Sequence, residues 1–142
     1  MRHTGFPHGL VTGGRWHQAL TVRAILLVDH GSRLAAANQV LADVAAAMRA
    51  TLGDAAIVAI AHQEMAPPSV EAAVDALVAR GVTELAVVPF FLVPGRHATE
   101  DVPRLAQEAA RRHPGLRLRV LPPPLPESAG ALASIVLARL SD

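Results

Sequence analysis

The sequence predicts an α/β protein: a single doubly wound domain with a four-stranded parallel sheet flanked by helices. Three observations predict it. Strand-length and helix-length segments alternate after Thr21, and most of the strand segments are continuous apolar runs. The repeat is about 30 residues, the length of a strand–helix unit. Parallel strands buried by helices on both faces have this character.

The elements follow in order. The first strand is residues 24–29, AILLVD, and the first helix residues 34–52, where Leu41, Val44, Met48 and Leu52 recur at helical spacing. Residues 56–61, AIVAIA, form a second strand. Residues 69–80 form a helix entered through Pro67 and Pro68 and closed by Gly81. The third strand is residues 84–91, ELAVVPFF. The helix after it, residues 100–113, has Thr99 as its expected cap, acids in its first turn and Pro-Gly behind it. Residues 116–121, LRLRVL, alternate cleanly and suit an edge strand, and residues 128–140 close the chain as a fourth helix. Residues 1–20 are expected to be a flexible N-terminal extension, leaving residues 21–142 as the folded domain. The irregularly spaced His3, His8 and His17 of that extension give little reason to be ligands.

Composition excludes several chemistries. No cysteine is present, so thiolate metal sites, iron–sulfur clusters and Cys nucleophiles are ruled out within the chain. All 13 basic residues are Arg, which removes Schiff-base and P-loop lysines and suits the binding of carboxylates or phosphates. A net charge of +1 with 3% aromatic residues does not describe a nucleic-acid binder. No apolar stretch is long enough for a membrane span, and no secretion signal is seen, so a cytoplasmic location is expected.

In open parallel sheets, ligands sit beyond the carboxyl ends of the strands. The first exit carries Asp29, His30, Ser32 and Arg33; the second, His62, Glu64 and Ser69; the third, Arg96, His97, Glu100 and Asp101. Three consecutive exits thus deliver a histidine. Singly, each could cap a helix or bond a backbone carbonyl. Jointly, imidazoles with carboxylates and no thiolate suit a borderline divalent metal such as Zn, Co, Ni or Fe(II). Glu64 could be a ligand, a proton acceptor or a solvated loop carboxylate. Asp29 could orient His30 or merely form a turn. Around His97, Phe90, Phe91, Leu92 and Val93 supply an apolar side, part core and part candidate contact for a flat ligand. Arg33 and Arg96 flank the two histidines and could bind acidic substituents.

At these positions, LLVDHGSR with Asn38 after it, EMAPPSVEAAV and VVPFFLVPGRHATEDVP, the chain resembles the short-form CbiX-type sirohydrochlorin chelatases. The likeness runs from about residue 23 to residue 125, and the spacing G-x-H-x-x-x-D-[IV]-P is its most specific part. The resemblance implies a ferrochelatase-like fold of flavodoxin-like topology. It implies ATP-independent insertion of Co(II) or Fe(II) into sirohydrochlorin, on the route to cobalamin or sirohaem. No permanently bound cofactor is then expected, the metal being a substrate. Carried over by motif, His30 and His97 are the catalytic, metal-binding pair and Glu64 the acid of the second loop. Ser32, Arg33, Arg96, Phe91 and Leu92 are the expected substrate contacts. The half-length form implies a symmetric homodimer. His62 stands where the family pattern has an apolar residue, and either adds a ligand or has no part. A carrier that binds metal or tetrapyrrole without turnover is the alternative. A histidine phosphatase would need Arg where Asp29 stands, and a flavodoxin-like module would need a Gly-rich loop after the first strand.

Overall fold

The computed structural model describes residues 22–124 and 129–141, so the expected extension with its three histidines lies outside the described residues. Four strands, β1 (Val22–Asp29), β2 (Ile57–His62), β3 (Val82–Pro89) and β4 (Arg117–Val120), form one parallel sheet in the order β2-β1-β3-β4. Between and after them run α1 (Ala35–Leu52), α2 (Val70–Ala79), α3 (Val102–Ala110) and α4 (Ala129–Ala138). The expected class and alternation are therefore what the chain forms.

The central strand explains the double winding. Successive side chains of a strand point to opposite faces. Ala24, Leu26 and Val28 enter the core shared with α2 and α3, while Ile25 and Leu27 enter the one shared with α1. All five are buried, so neither face can be left to water. Each large side chain among them contributes roughly 1.5–3 kcal/mol by burial. β4 is an edge strand, as its alternation requires. At the amino end of the sheet Glu84 of β3 bonds Arg23 of β1 at 3.0 Å and Arg117 of β4, fixing three strands at the end remote from the exits.

Two details differ from expectation. β3 stops at Pro89 rather than residue 91, although the amide of Phe90 still donates to the Val28 carbonyl at 2.7 Å. Thr99 does not cap α3. The helical path begins earlier, as a π-helical turn over His97–Asp101, and the Thr99 hydroxyl donates back to the Gly95 carbonyl at 3.0 Å. The wider turn ends where the Val102 amide donates to the His97 carbonyl. Such turns inside helices occur often at functional sites. By contrast Ser69 does cap α2, accepting from the Ala72 amide at 3.1 Å. α4 buries none of its side chains.

Candidate active site

Because β1 lies between β2 and β3, the three histidine-bearing exits are neighbours at one end of the sheet. From β1 the chain steps to β2 on one side and then crosses back to β3 on the other, so the β1/β3 junction is the topological switch point, where open α/β sheets bind ligands. His30 leaves β1 there and His97 stands on the π-helical turn that follows β3. Their rings meet edge to face, with centroids 4.8 Å apart. On the other side, Glu64 of the β2 exit places Oε1 2.7 Å from His30 Nε2.

The backbone enforces that meeting. The amides of Gln63 and Glu64 donate to the carbonyls of Asp29 (2.8 Å) and His30 (3.0 Å), continuing the β1–β2 ladder past the strand ends. Gly31 makes the closest approach. Its φ is +87°, and a Cβ there would lie 1.9 Å from the Glu64 carbonyl oxygen. Only glycine takes that conformation at that distance from another backbone.

His30 Nδ1 lies 3.1 Å from the Gly31 carbonyl, which can only accept, so Nδ1 carries a proton and Nε2 faces Glu64. A lone pair and a carboxylate oxygen 2.7 Å apart need a cation between them. A proton or a divalent ion can fill that place. Among the described residues no three His, Asp or Glu side chains already converge as a ligand set. His30 instead faces Glu64, and His97 faces Asp101, with Nδ1 and Oδ2 2.9 Å apart. His30 and His97 are both substantially exposed, so ions and ligands can reach them.

The other expected residues have distinct placements. Phe91 lies nearly parallel to the His97 ring, at 10° and 6.2 Å, and packs against the core. Leu92 is 66% exposed and continues an apolar trough with Phe90, Phe91 and Ile135 of α4. Ser32 is occupied in shaping its loop: its hydroxyl accepts from the Leu34 amide at 3.0 Å. Its backbone is clamped by both ends of the Asn38 amide, at 2.9 and 2.7 Å. Arg33 is exposed, and Arg96 is paired with Glu100 at 3.1 Å.

Asp29 does not orient His30. Adjacent strand residues point to opposite faces, whereas Asp29 and His62 are register partners across β1 and β2. The Asp29 carboxylate therefore accepts from His62 Nδ1, at 2.5 Å. His62 is only 2% exposed and serves as a bolt beneath the two loops. Gln63 is the residue that sequence reasoning passed over. Its partners, His97 and Asp101, belong to another exit, and no local pattern announces them.

Comparison with known proteins assigns the family. The CbiX family model matches residues 24–142. The chain belongs to the CbiX family. Its relatives include the chloroplastic sirohydrochlorin ferrochelatase of Arabidopsis thaliana, 37% identical over 99 residues, which are 70% of this chain and 44% of that protein. The sirohydrochlorin cobaltochelatase of Methanopyrus kandleri is 37% identical over 82 residues, 58% of this chain and 57% of that one. Among solved structures, a CbiX protein of Marinobacter aquaeolei VT8 superposes with a TM-score of 0.69 at 30% identity, covering 84% of this chain and 98% of that one. The cobalt complex of the sirohydrochlorin chelatase SirB from Bacillus subtilis subspecies spizizenii gives 0.67 at 34% identity, covering 72% of this chain and 44% of that one. This CbiX-family chain spans about half the length of the curated relatives it matches.

Proposed function

We propose that the chain inserts Co(II) or Fe(II) into sirohydrochlorin without ATP, as a step of cobalamin or sirohaem formation. The observation that carries this reading is the meeting of His30 and His97 across the β1/β3 switch point, with Glu64 2.7 Å from His30. Relatives named as ferrochelatases and as cobaltochelatases support the reaction class.

The reaction exchanges one divalent ion for two pyrrole N–H protons. In this reading His30 and His97 bind the ion through ring nitrogens and give it up to the macrocycle. A neutral imidazole freed of metal then accepts a pyrrole proton, with Glu64 taking part in proton removal. The exposure of the three groups leaves coordination positions open, as transfer of the ion requires. Phe91 and Leu92 offer an apolar floor to the flat ring. Arg33 and Arg96 face its carboxylates, Arg96 exchanging Glu100 for one of them. Ser32 contributes by holding the loop that aims His30.

The test is spectrophotometric. Purified full chain is mixed anaerobically with excess sirohydrochlorin and sub-saturating Co(II), and macrocycle absorbance is followed against a protein-free control. Acceleration over many turnovers is expected, with parallel runs in Fe(II) and Ni(II) ranking the metals. A change that stops at one equivalent would make the protein a carrier, and no change with folded protein would withdraw the reaction. His30→Ala and His97→Ala are each expected to lower the rate at least about 100-fold, and Glu64→Gln roughly 10- to 100-fold. Full rates in both histidine variants would refute the assignment.

A further inference from the structure

The loop that delivers Glu64 is closed at its base: the His62 amide donates to the Pro68 carbonyl at 2.9 Å, and His62 and Ser69 pair as a parallel bridge. Its first half is fastened to the β1 exit by the Gln63 and Glu64 amides and by the approach of Gly31 to the Glu64 carbonyl. Met65 follows at the tip. Its φ is +69°, in the left-handed region that a residue with a side chain enters at a cost. The Ala66 amide donates back past it to the Glu64 carbonyl at 2.9 Å, closing a three-residue turn of the rarer, strained hand. Glycine would make that turn without strain, yet the position carries a long apolar side chain that is 55% exposed. The fold gains little from it, since burial is what makes a methionine stabilising. Strain held where the fold does not need it points to function.

Its place in the site says which function. Across the end of the sheet stand Glu64 and Met65 from the β2 exit, then His30 from β1, then His97 and Phe91 from the β3 exit. The β2 exit thus brings an apolar side chain to the opposite end of the polar row from Phe91. We propose that Met65 is a substrate-binding residue, whose strained turn presents its side chain to the apolar face of a tetrapyrrole lying over that row. This rests on the reading of the chain as acting on sirohydrochlorin. The contact is with the macrocycle and not with the metal.

Two titrations of the full chain test this: metal-free sirohydrochlorin, anaerobically, followed by the macrocycle's fluorescence, and Co(II) alone, followed by its visible ligand-field bands. Met65→Gly and Met65→Asn both accept a left-handed backbone. Each is expected to bind the macrocycle roughly 5- to 10-fold more weakly, the effect of losing about half a methionine's burial. Met65→Leu keeps the apolar bulk and is expected to restore binding to within about twofold of wild type. Co(II) alone is expected to bind Met65→Gly as it binds wild type, and the urea midpoint of that variant is expected to be no lower. A residue that merely supported the loop would lose stability and macrocycle binding together. Met65→Gly binding the macrocycle as tightly as wild type overturns the proposal. So does Met65→Asn binding it as tightly, since the turn alone would then matter. An equal loss of Co(II) binding in Met65→Gly also overturns it, making Met65 a support of the metal site. If wild type itself takes up no macrocycle, the reading of the substrate falls, and the contact with it.

Discussion

Gly31 sets the geometry of the candidate site more than either histidine does. It lets the His30 loop pass against the Glu64 backbone, and both its φ of +87° and the 1.9 Å approach forbid a side chain. Gly31→Ala is expected to lower stability by roughly 2–4 kcal/mol, from a left-handed alanine and the overlap with a backbone oxygen together. Urea unfolding measures this, and a loss under about 1 kcal/mol would mean that the two loops part easily. At this scale the sequence is legible where chemistry is local. His30 stands out because an apolar strand that ends in an imidazole is an odd use of a buried segment, and His97 because Gly95 precedes it and two carboxylates follow it. The partner of Asp29 was less legible, since it is set by register with a strand 33 residues away. Gln63 was not legible at all: a glutamine in a loop looks solvated until the β3 exit is brought beside it.

Among the elements, α2 and α3 are joined by charge as well as by their apolar faces. His113 and Arg112, just beyond α3, meet Asp75 of α2 at 2.7 and 2.6 Å, and Arg112 also pairs with Glu71. The hydrogen bond from His113, then that from Arg112, holds the Asp75 carboxyl below its ordinary value of 3.8. A carboxyl depressed on folding adds stability that is present above its unfolded value and is lost as pH falls through the folded one. Asp75→Asn is therefore expected to unfold at lower urea than wild type near neutral pH. The gap should narrow as the pH drops below 3.8. A gap that stays constant with pH would assign the effect to packing. Because the cluster is half exposed, the effect will be modest and weaker in high salt. Element boundaries were legible to within a few residues wherever periodicity was strong. The π-helical start of α3 was not, because Thr99 has the composition of a cap, and only the wider turn around His97 makes it bond backwards instead.

For the molecule as a whole, alternation of strand and helix was enough to put the three exit loops at one end of a parallel sheet, whereas the order β2-β1-β3-β4 that makes them neighbours comes from the structure. The same view leaves α4 unexplained as a monomer's surface. Ile135, Val136, Leu137 and Leu140 are all more than half exposed, and Leu92 and Val93 adjoin Val136 and Leu137 in one apolar groove. Isolated exposed apolar residues are common, but a helix with none of its side chains buried has not found its partner. A second copy of the chain is the occupant we favour, since a two-fold pair of such helices would cover each other and set two exit-loop sites on one assembly. Light scattering is expected to give twice the 14.9 kDa of the chain. Ile135→Asp with Leu137→Asp, which alters only exposed positions, is expected to give the monomer with its secondary structure intact. If the pair forms each site from two chains, that monomer loses metal insertion; if each chain holds a complete site, it keeps it. A wild-type protein of single mass would leave α4 to some other partner and overturn the homodimer that the resemblance implies.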